Sequence, residues 1–386
     1  MDQQRCVYGR QKSRDPKEQN HGHEVDPDLE KVEGSDKQKA KARLVVKGFA
    51  DPDLTTIRAE SPTLSKVGRN CLLQLAASYK MKLSMGDVKT AFLQEDMGES
   101  DRDIYGDLPP DARKLFGVSG DDLIKLEGSV YGLRTAPKAW LGKVVVDLKR
   151  LCAVQHPLDQ CVFMFFKEFK ILGAIGVYVD DFLFAESDDP AWTRLMKSIK
   201  DMYSWGKHDY QNFVLCGVQY RQNSDWSVTL DQRDYVESLS PHDLQPDEDL
   251  RRMKDNDLNS SPKWIKRFRG ANGALQWLCT NTRPDLAADT SISAGTSGSG
   301  ITKSSILGAQ KIYRKAHSRI GVEIRIRHIR PEDLRFSAFH DAGWASRPDG
   351  SSQGGLMIFS CHKDLLDGKE AALSLIEWKS WKLKRV

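Results

Sequence analysis

The chain has no paired-cysteine motif. Its seven cysteines stand singly in 386 residues. An odd, unspaced set argues against a disulfide framework and against a structural zinc site, and for a reducing compartment. His21-x-His23 stands isolated in a polar segment, without the further ligands a metal would need. No apolar run reaches the ~18 residues of a membrane-spanning helix. The start lacks the charged-then-apolar order of a secretory signal. No segment repeats. Neither sign of charge dominates: 58 Lys and Arg against 54 Asp and Glu leave a net +4, which permits a polyanionic partner without demanding one. Residues 1 to about 36 have almost no large apolar side chains and are expected to stay loose, because they cannot bury enough surface to offset chain entropy. The expectation is a soluble intracellular protein, cytoplasmic or nuclear, with no membrane contact.

What is present is a length sufficient for two or three domains and a sizeable core. Basic residues cluster at Lys37–Lys47, Lys263–Arg269 and Lys379–Arg385. Such runs are usually solvated faces, but their repetition tilts toward nucleic acid. The organising stretch is Ile171–Glu186, ILGAIGVYVDDFLFAE. Two runs of β-formers flank Asp180-Asp181, so the stretch reads as a tight hairpin with both carboxylates at its tip. Like charges that close repel unless a cation sits between them.

Upstream, Ser61-Pro62 is expected to open a helix, with Val67, Cys71, Leu75 and Tyr79 as its packed face. Met81, Leu83 and Met85 alternate as a strand that ends at Gly86-Asp87, and Ala91-Phe92-Leu93 begins a turn. Asp87 at that strand end is either a reactive carboxylate or an ordinary turn residue. Lys41–Phe49 reads as an exposed strand, with Lys41, Arg43 and Lys47 available to phosphates. A helix follows Pro137, with Trp140, Val144, Leu148 and Cys152 inward. A helix is expected over about 191–203. Phe213–Tyr220 with Trp226–Leu230 reads as one hairpin. Residues 232–320 read as mainly helical around a Gly/Ser-rich loop at Gly295–Gly300. Strands are expected at Val322–Ile326, Arg335–His340, Gly355–Ser360 and Leu373–Trp378.

Seven motifs in order, KARLVVKGF (41–49), SPT (61–63), GDVKTAFLQ (86–94), VYGLRTAPKAW (130–140), YVDD (178–181), TRPDLA (282–287) and HDAGWAS (340–346), resemble the reverse transcriptase region of copia-type LTR retrotransposon polyproteins over about residues 40 to 386. The resemblance implies an α+β right-hand polymerase of fingers, palm and thumb or connection, followed by a truncated RNase H-like α/β segment. It implies a tail over 1–36, fingers and palm over 37–231, a mainly helical thumb or connection over 232–330 and an incomplete RNase H-like segment over 331–386. Carried over residue by residue, Asp87, Asp180 and Asp181 are the catalytic ligands of Mg2+ or Mn2+. Lys41 and Arg43 grip the triphosphate, and Phe92 is the gate against a ribose 2′-hydroxyl. Gly132 borders the nucleotide pocket, and Asp341 is the first RNase H ligand. The implied partners are an RNA template, a DNA primer and deoxynucleoside triphosphates.

The chain departs from the family pattern in three places. The Trp-rich strand before KARLV is missing, and Thr135 stands where many members have Gln. The last segment stops after its third strand, so no RNase H activity is expected and residues from about 331 are expected to be marginally folded. The competing reading is a decayed element-derived protein that binds nucleic acid without catalysis.

Overall fold

Six strands build the central sheet. They are β4 (Lys82–Val88), β7 (Val154–Gln155), β8 (Val162–Lys167), β9 (Lys170–Tyr178), β10 (Asp181–Glu186) and β11 (Trp205–Tyr210), in the order β11-β4-β10-β9-β8-β7. Every neighbouring pair is antiparallel. Strand β10 runs Phe182-Leu183-Phe184-Ala185 without polar alternation, and all four are buried. A strand of that composition needs cover on both faces, and it has it. Helices α3 (Ala136–Arg150) and α4 (Pro190–Met202) lie on one face, with Trp140, Val144, Leu148, Trp192 and Ile199 in its core. Asp189 caps α4 by accepting from the Ala191 amide at 2.7 Å, with Pro190 in the first turn.

The other face carries α1 (Lys66–Tyr79). Here the structure corrects the sequence reading twice. Ser65, not Ser61, is the cap, its side chain accepting from the Gly68 amide at 2.9 Å. Ser61 lies in extended chain before the helix and donates to the Pro137 carbonyl. The packed face is also a different one. Val67, Cys71 and Tyr79 are exposed, while Leu72, Leu73, Ala76 and Ala77 are buried together with Arg69, Asn70 and Gln74.

A four-stranded sheet lies beyond α1: β12 (Asn212–Leu215), β13 (Val218–Gln222), β14 (Val228–Asp231) and β15 (Ile324–Ile326), in chain order. The expected single hairpin is therefore a three-stranded meander. Phe213–Tyr220 contains a turn at Cys216-Gly217, both with left-handed φ of 50° and 67°. Strand β11, which the sequence reading did not contain, joins the edge of the central sheet. Between β14 and β15 the chain makes a helical excursion: α5 (Arg233–Ser238), α6 (Glu248–Arg252), α7 (Pro262–Asn281), α8 (Ala287–Gly295) and α9 (Lys303–Ser318). Trp264, Phe268, Leu275 and Leu278 of α7 and Ile306, Ala309, Tyr313 and Ala316 of α9 share a separate core, as their spacing predicts.

A lateral sheet, order β1-β6-β5, consists of β1 (Tyr8–Gln11), β5 (Ile104–Gly106) and β6 (Leu123–Leu126), with α2 (Pro110–Phe116) beside it. A hairpin of β2 (His23–Lys31) and β3 (Gln38–Val46) stands next to it. Two pieces of the tail expected to be loose are thus strands. Ladder formation uses main-chain groups, so a segment poor in apolar side chains can still add to an edge. This computed structural model describes residues 8–11, 23–31, 38–51, 53, 55–94, 103–120, 122–240, 248–252, 261–295 and 301–384, with the side chains of 8–43, 249 and 252 outside that description. Most of the tail, His21, Lys37, Arg385 and the Gly/Ser-rich loop beyond Gly295 lie outside the described residues.

Strands β16 (Leu334–Gly343), β17 (Gln353–His362) and β18 (Leu373–Lys382) form the C-terminal sheet in that order. This segment was expected to be marginally folded, and the structure divides it: β18 is covered, while Phe336 and Phe339 of β16 and Met357 of β17 remain exposed. Ile376 and Trp378 of β18 are 2% and 3% exposed in the core beneath α1. Asn70 donates to the Ile376 carbonyl at 2.8 Å, Ser360 to Gln74 at 2.7 Å, and the Trp378 indole to the Cys279 carbonyl at 2.7 Å. Lys66 reaches Glu377 at 2.5 Å. The cover comes from α1 and the α7–α8 region rather than from a helix of the segment's own.

Candidate active site

The β9–β10 hairpin carries the acidic pair at the centre of the sheet. Tyr178 pairs with Asp181, so Val179 and Asp180 form the two-residue turn and Asp181 is already in the strand. The tip therefore holds one aspartate, not two. Val179 takes the first turn position with φ +58°. Glycine, asparagine or aspartate usually stand where such φ values occur, because a branched Cβ crowds the backbone there.

Asp87 arrives from β4. Although 93 positions before Asp180 (180 − 87), it lies directly opposite Asp181 in the β4–β10 ladder. The Val88 amide donates to the Asp180 carbonyl at 2.9 Å. Directly opposed residues of an antiparallel pair project to the same face, so two of the three carboxylates share a face and the third is adjacent in the chain. The electrostatics agree with the geometry. Burial, and then the charges of Asp180 and Asp87, push the Asp181 carboxyl up to about 7. A neighbouring element reports the same field. Cys216, at the β12–β13 turn, has its thiol pushed up to about 12 by burial and then by Asp181. On the far side, Gly206 of β11 leaves no room for a side chain: a Cβ there would stand 2.6 Å from Asp87 Oδ2. Cys216 and Gly206 were not anticipated; their signal was only that a Gly stands at each turn or bulge.

Among the described residues, no three or more His, Cys, Asp or Glu side chains are drawn together into an enclosure for an ion. The donor set nonetheless fits a hard cation. Mg2+ is commonly held by one or two carboxylates and completes its shell with substrate phosphates and water. A site of crowded, partly desolvated carboxylates gains from such a charge.

Phe92 follows β4 in a short 3-10 turn, Ala91–Gln94. It is half-buried and meets Tyr131 edge to face at 5.3 Å between ring centres. Gly132, next to Tyr131, has φ +89°, and a Cβ on it would stand 2.0 Å from the Val46 carbonyl oxygen. The Val46 amide donates to the Tyr131 carbonyl at 2.8 Å. The end of β3 is thus clasped against the Tyr131–Gly132 turn. Lys41 and Arg43 lie on β3 opposite Asp28 and Asp26, two positions apart and so on one face of the strand; their side chains are outside the described residues. Phe92 and Gly132 are linked through Tyr131. Asp341 stands apart on exposed β16, opposite Gly355, its carboxylate accepting from the Ala342 amide.

A family model described as reverse transcriptase (RNA-dependent DNA polymerase) matches residues 28–243. The chain belongs to that family. Its kinship is with copia-type retrotransposon polyproteins. It is 28% identical over 265 residues to the retrovirus-related Pol polyprotein from transposon TNT 1-94 of Nicotiana tabacum, covering 64% of this chain and 19% of that protein. It is 26% identical over 260 residues to the corresponding polyprotein from transposon RE2 of Arabidopsis thaliana, covering 64% and 17%. The transposon Ty1-DR5 Gag-Pol polyprotein of Saccharomyces cerevisiae is 27% identical over 165 residues, covering 42% and 9%. The matched region therefore spans less than a fifth of the length of these curated relatives. Among the described residues no helix is long and apolar enough to cross a membrane.

Proposed function

We propose that the chain extends a DNA primer on an RNA template, as the polymerase segment of a copia-type retrotransposon polyprotein. The observation that carries this reading is the pairing of Asp87 with Asp181, beside Asp180, on a buried hairpin. On this reading the central sheet with its helices is the palm. Strands β3, β5 and β6 with α2 are the fingers, within 37–231, and β1 and β2 of the preceding 1–36 stretch add to their edges. The helical excursion is the thumb or connection, within 232–330, and residues from 331 are RNase H-like, with Asp341 at the first ligand position.

Asp87, Asp180 and Asp181 would hold two divalent cations, Mg2+ or Mn2+. Bound there, such a pair supplies activation of the primer's 3′-hydroxyl and charge neutralisation on the leaving pyrophosphate. The protein's own part is placement. The β4–β10 ladder keeps two carboxylates side by side, and desolvation sharpens their pull on a cation. The Phe92 ring, braced by Tyr131, would lie under the incoming sugar and exclude a 2′-hydroxyl sterically. Lys41 and Arg43 would take the triphosphate from a strand whose end is clasped at Gly132. Lys266 and Arg269 face outward on α7 while Trp264 and Phe268 face inward, an arrangement suited to the phosphates of the duplex.

Primer extension on an RNA template tests this, with deoxynucleoside triphosphates and Mg2+ or Mn2+. The expected result is extension by the wild-type chain and at least a hundredfold loss in Asp180→Asn, with primer–template binding retained. The same assay run with ribonucleotides reads the role of Phe92: Phe92→Val should admit them. A chain that binds the duplex but never extends would overturn the enzymatic reading in favour of nucleic-acid binding alone.

A further inference from the structure

Trp140 is the one indole of α3, and its ring and its N–H do different work. The ring is 1% exposed and meets Tyr203 edge to face at 5.4 Å. Tyr203 in turn donates to Asp147, one face along α3, at 3.2 Å. The N–H leaves this packing and donates to the Val179 carbonyl at 2.7 Å. That carbonyl belongs to the peptide joining Val179 to Asp180. The next peptide, joining Asp180 to Asp181, is held from the opposite side by the Val88 amide at 2.9 Å.

Both peptide planes flanking the Asp180 Cα are therefore pinned, one by α3 and one by β4. Fixing both planes fixes φ and ψ at Asp180, and so the direction of its Cα–Cβ bond. The restraint falls on a turn that needs one. Val179 sits at φ +58°, where a β-branched residue is disfavoured and persists only when its surroundings over-determine it. A buried indole usually finds some acceptor for its N–H. What separates Trp140 from that ordinary case is the acceptor: a turn carbonyl adjacent to the acidic pair, on a strained residue.

We infer that Trp140 is a positioning residue for Asp180 and Asp181: its N–H holds the Val179 turn in place and so aims the carboxylates at the cations. The inference rests on the reading that these carboxylates hold divalent cations. It predicts a division of labour within one side chain, with the ring serving stability and the N–H serving the site.

The test replaces Trp140 in the full chain by 3-benzothienylalanine, which keeps the bicyclic shape and puts sulfur where the N–H was. Mn2+ binding is followed by isothermal titration and by the free-ion electron spin resonance signal. Loss of one buried hydrogen bond should weaken apparent Mn2+ affinity about tenfold, with the thermal midpoint held within a few degrees. Val179→Gly in the same background should recover most of that affinity, because glycine holds a left-handed φ without restraint. Unchanged affinity in the isostere, or a lost thermal midpoint without lost affinity, would make Trp140 a packing residue and overturn the inference. Failure of the glycine rescue would overturn the route through the turn. If the wild-type chain neither binds Mn2+ nor extends a primer, the proposed function fails first and takes this inference with it. Wild-type extension with full Mn2+ affinity in the isostere sinks the inference alone.

Discussion

Asp181 carries a proton at a pH where an ordinary aspartate has long lost it, and that has a signature in stability. Its carboxyl is pushed up to about 7, by burial first and then by Asp180 and Asp87. In the unfolded chain the same group titrates near 4. Between these values the folded state keeps a proton that the unfolded state has released. Stability from this group is therefore fully present below about pH 4 and falls as pH rises through about 7. The wild-type thermal midpoint, measured without divalent cations, should drop relative to Asp181→Asn across that window. Parallel profiles for the two proteins would mean that Asp181 is not crowded as described. Excess Mg2+ should flatten the wild-type drop if the cation reading holds.

At the level of elements, the β3 clasp makes a sharper claim than any single side chain. Gly132→Ala adds a Cβ at a left-handed φ and drives it to 2.0 Å from the Val46 carbonyl oxygen, a backbone atom that cannot swing aside. The left-handed penalty and the endangered Val46–Tyr131 hydrogen bond together should cost on the order of 3 kcal/mol. Gly120→Ala is the control: its φ is +58° but nothing lies within 4 Å, so it should cost only about 1 kcal/mol. Equal urea midpoints for the two variants would show the clasp to be loose. Such elements also show what could be read beforehand. The acidic hairpin, α3, α7 and α9 were legible because their apolar periodicity matches a partner close by in the chain, and β4 was legible from its own alternation although its partner β10 lies about a hundred positions on. The face of α1 was not. Its apolar series Val67–Cys71–Leu75–Tyr79 lost to a face bearing Asn70 and Gln74, because the cover over that face comes from Arg327, Ser360 and Ile376. Those distant partners present carbonyls and a hydroxyl, which call for amide groups rather than apolar ones. Strand β11 escaped because WGKHDY has no alternation. Its stabilisation is aromatic, from Trp205 against Phe182 at 5.3 Å and His208 against Tyr210 at 4.8 Å. The Cys216-Gly217 turn escaped because cysteine is not a turn former by composition.

For the molecule as a whole, β18 of the C-terminal sheet is part of the structure's centre, while β16 stays exposed at the edge. Trp378 sits under the Lys66 ammonium at 3.9 Å and hydrogen-bonds the end of α7, so one side chain joins α1, the helical excursion and β18. Trp378→Ala should destabilise the entire chain by about 3–5 kcal/mol, lowering one shared urea transition seen by both fluorescence and circular dichroism. An early, separate transition, with the rest unfolding where the wild type does, would mark the sheet as a passenger. The bond from Asn70 to the Ile376 carbonyl spans 306 positions of sequence, which sets a timetable for biosynthesis. A ribosome adding about 5–20 residues per second needs on the order of 15–60 s to travel that distance. During that interval α1 is made but its C-terminal cover is not, so the face bearing Asn70 and Gln74 meets solvent or a chaperone. How long that face stays exposed is governed by the pace of translation, and slowing elongation within the stretch that encodes the helical excursion lengthens it.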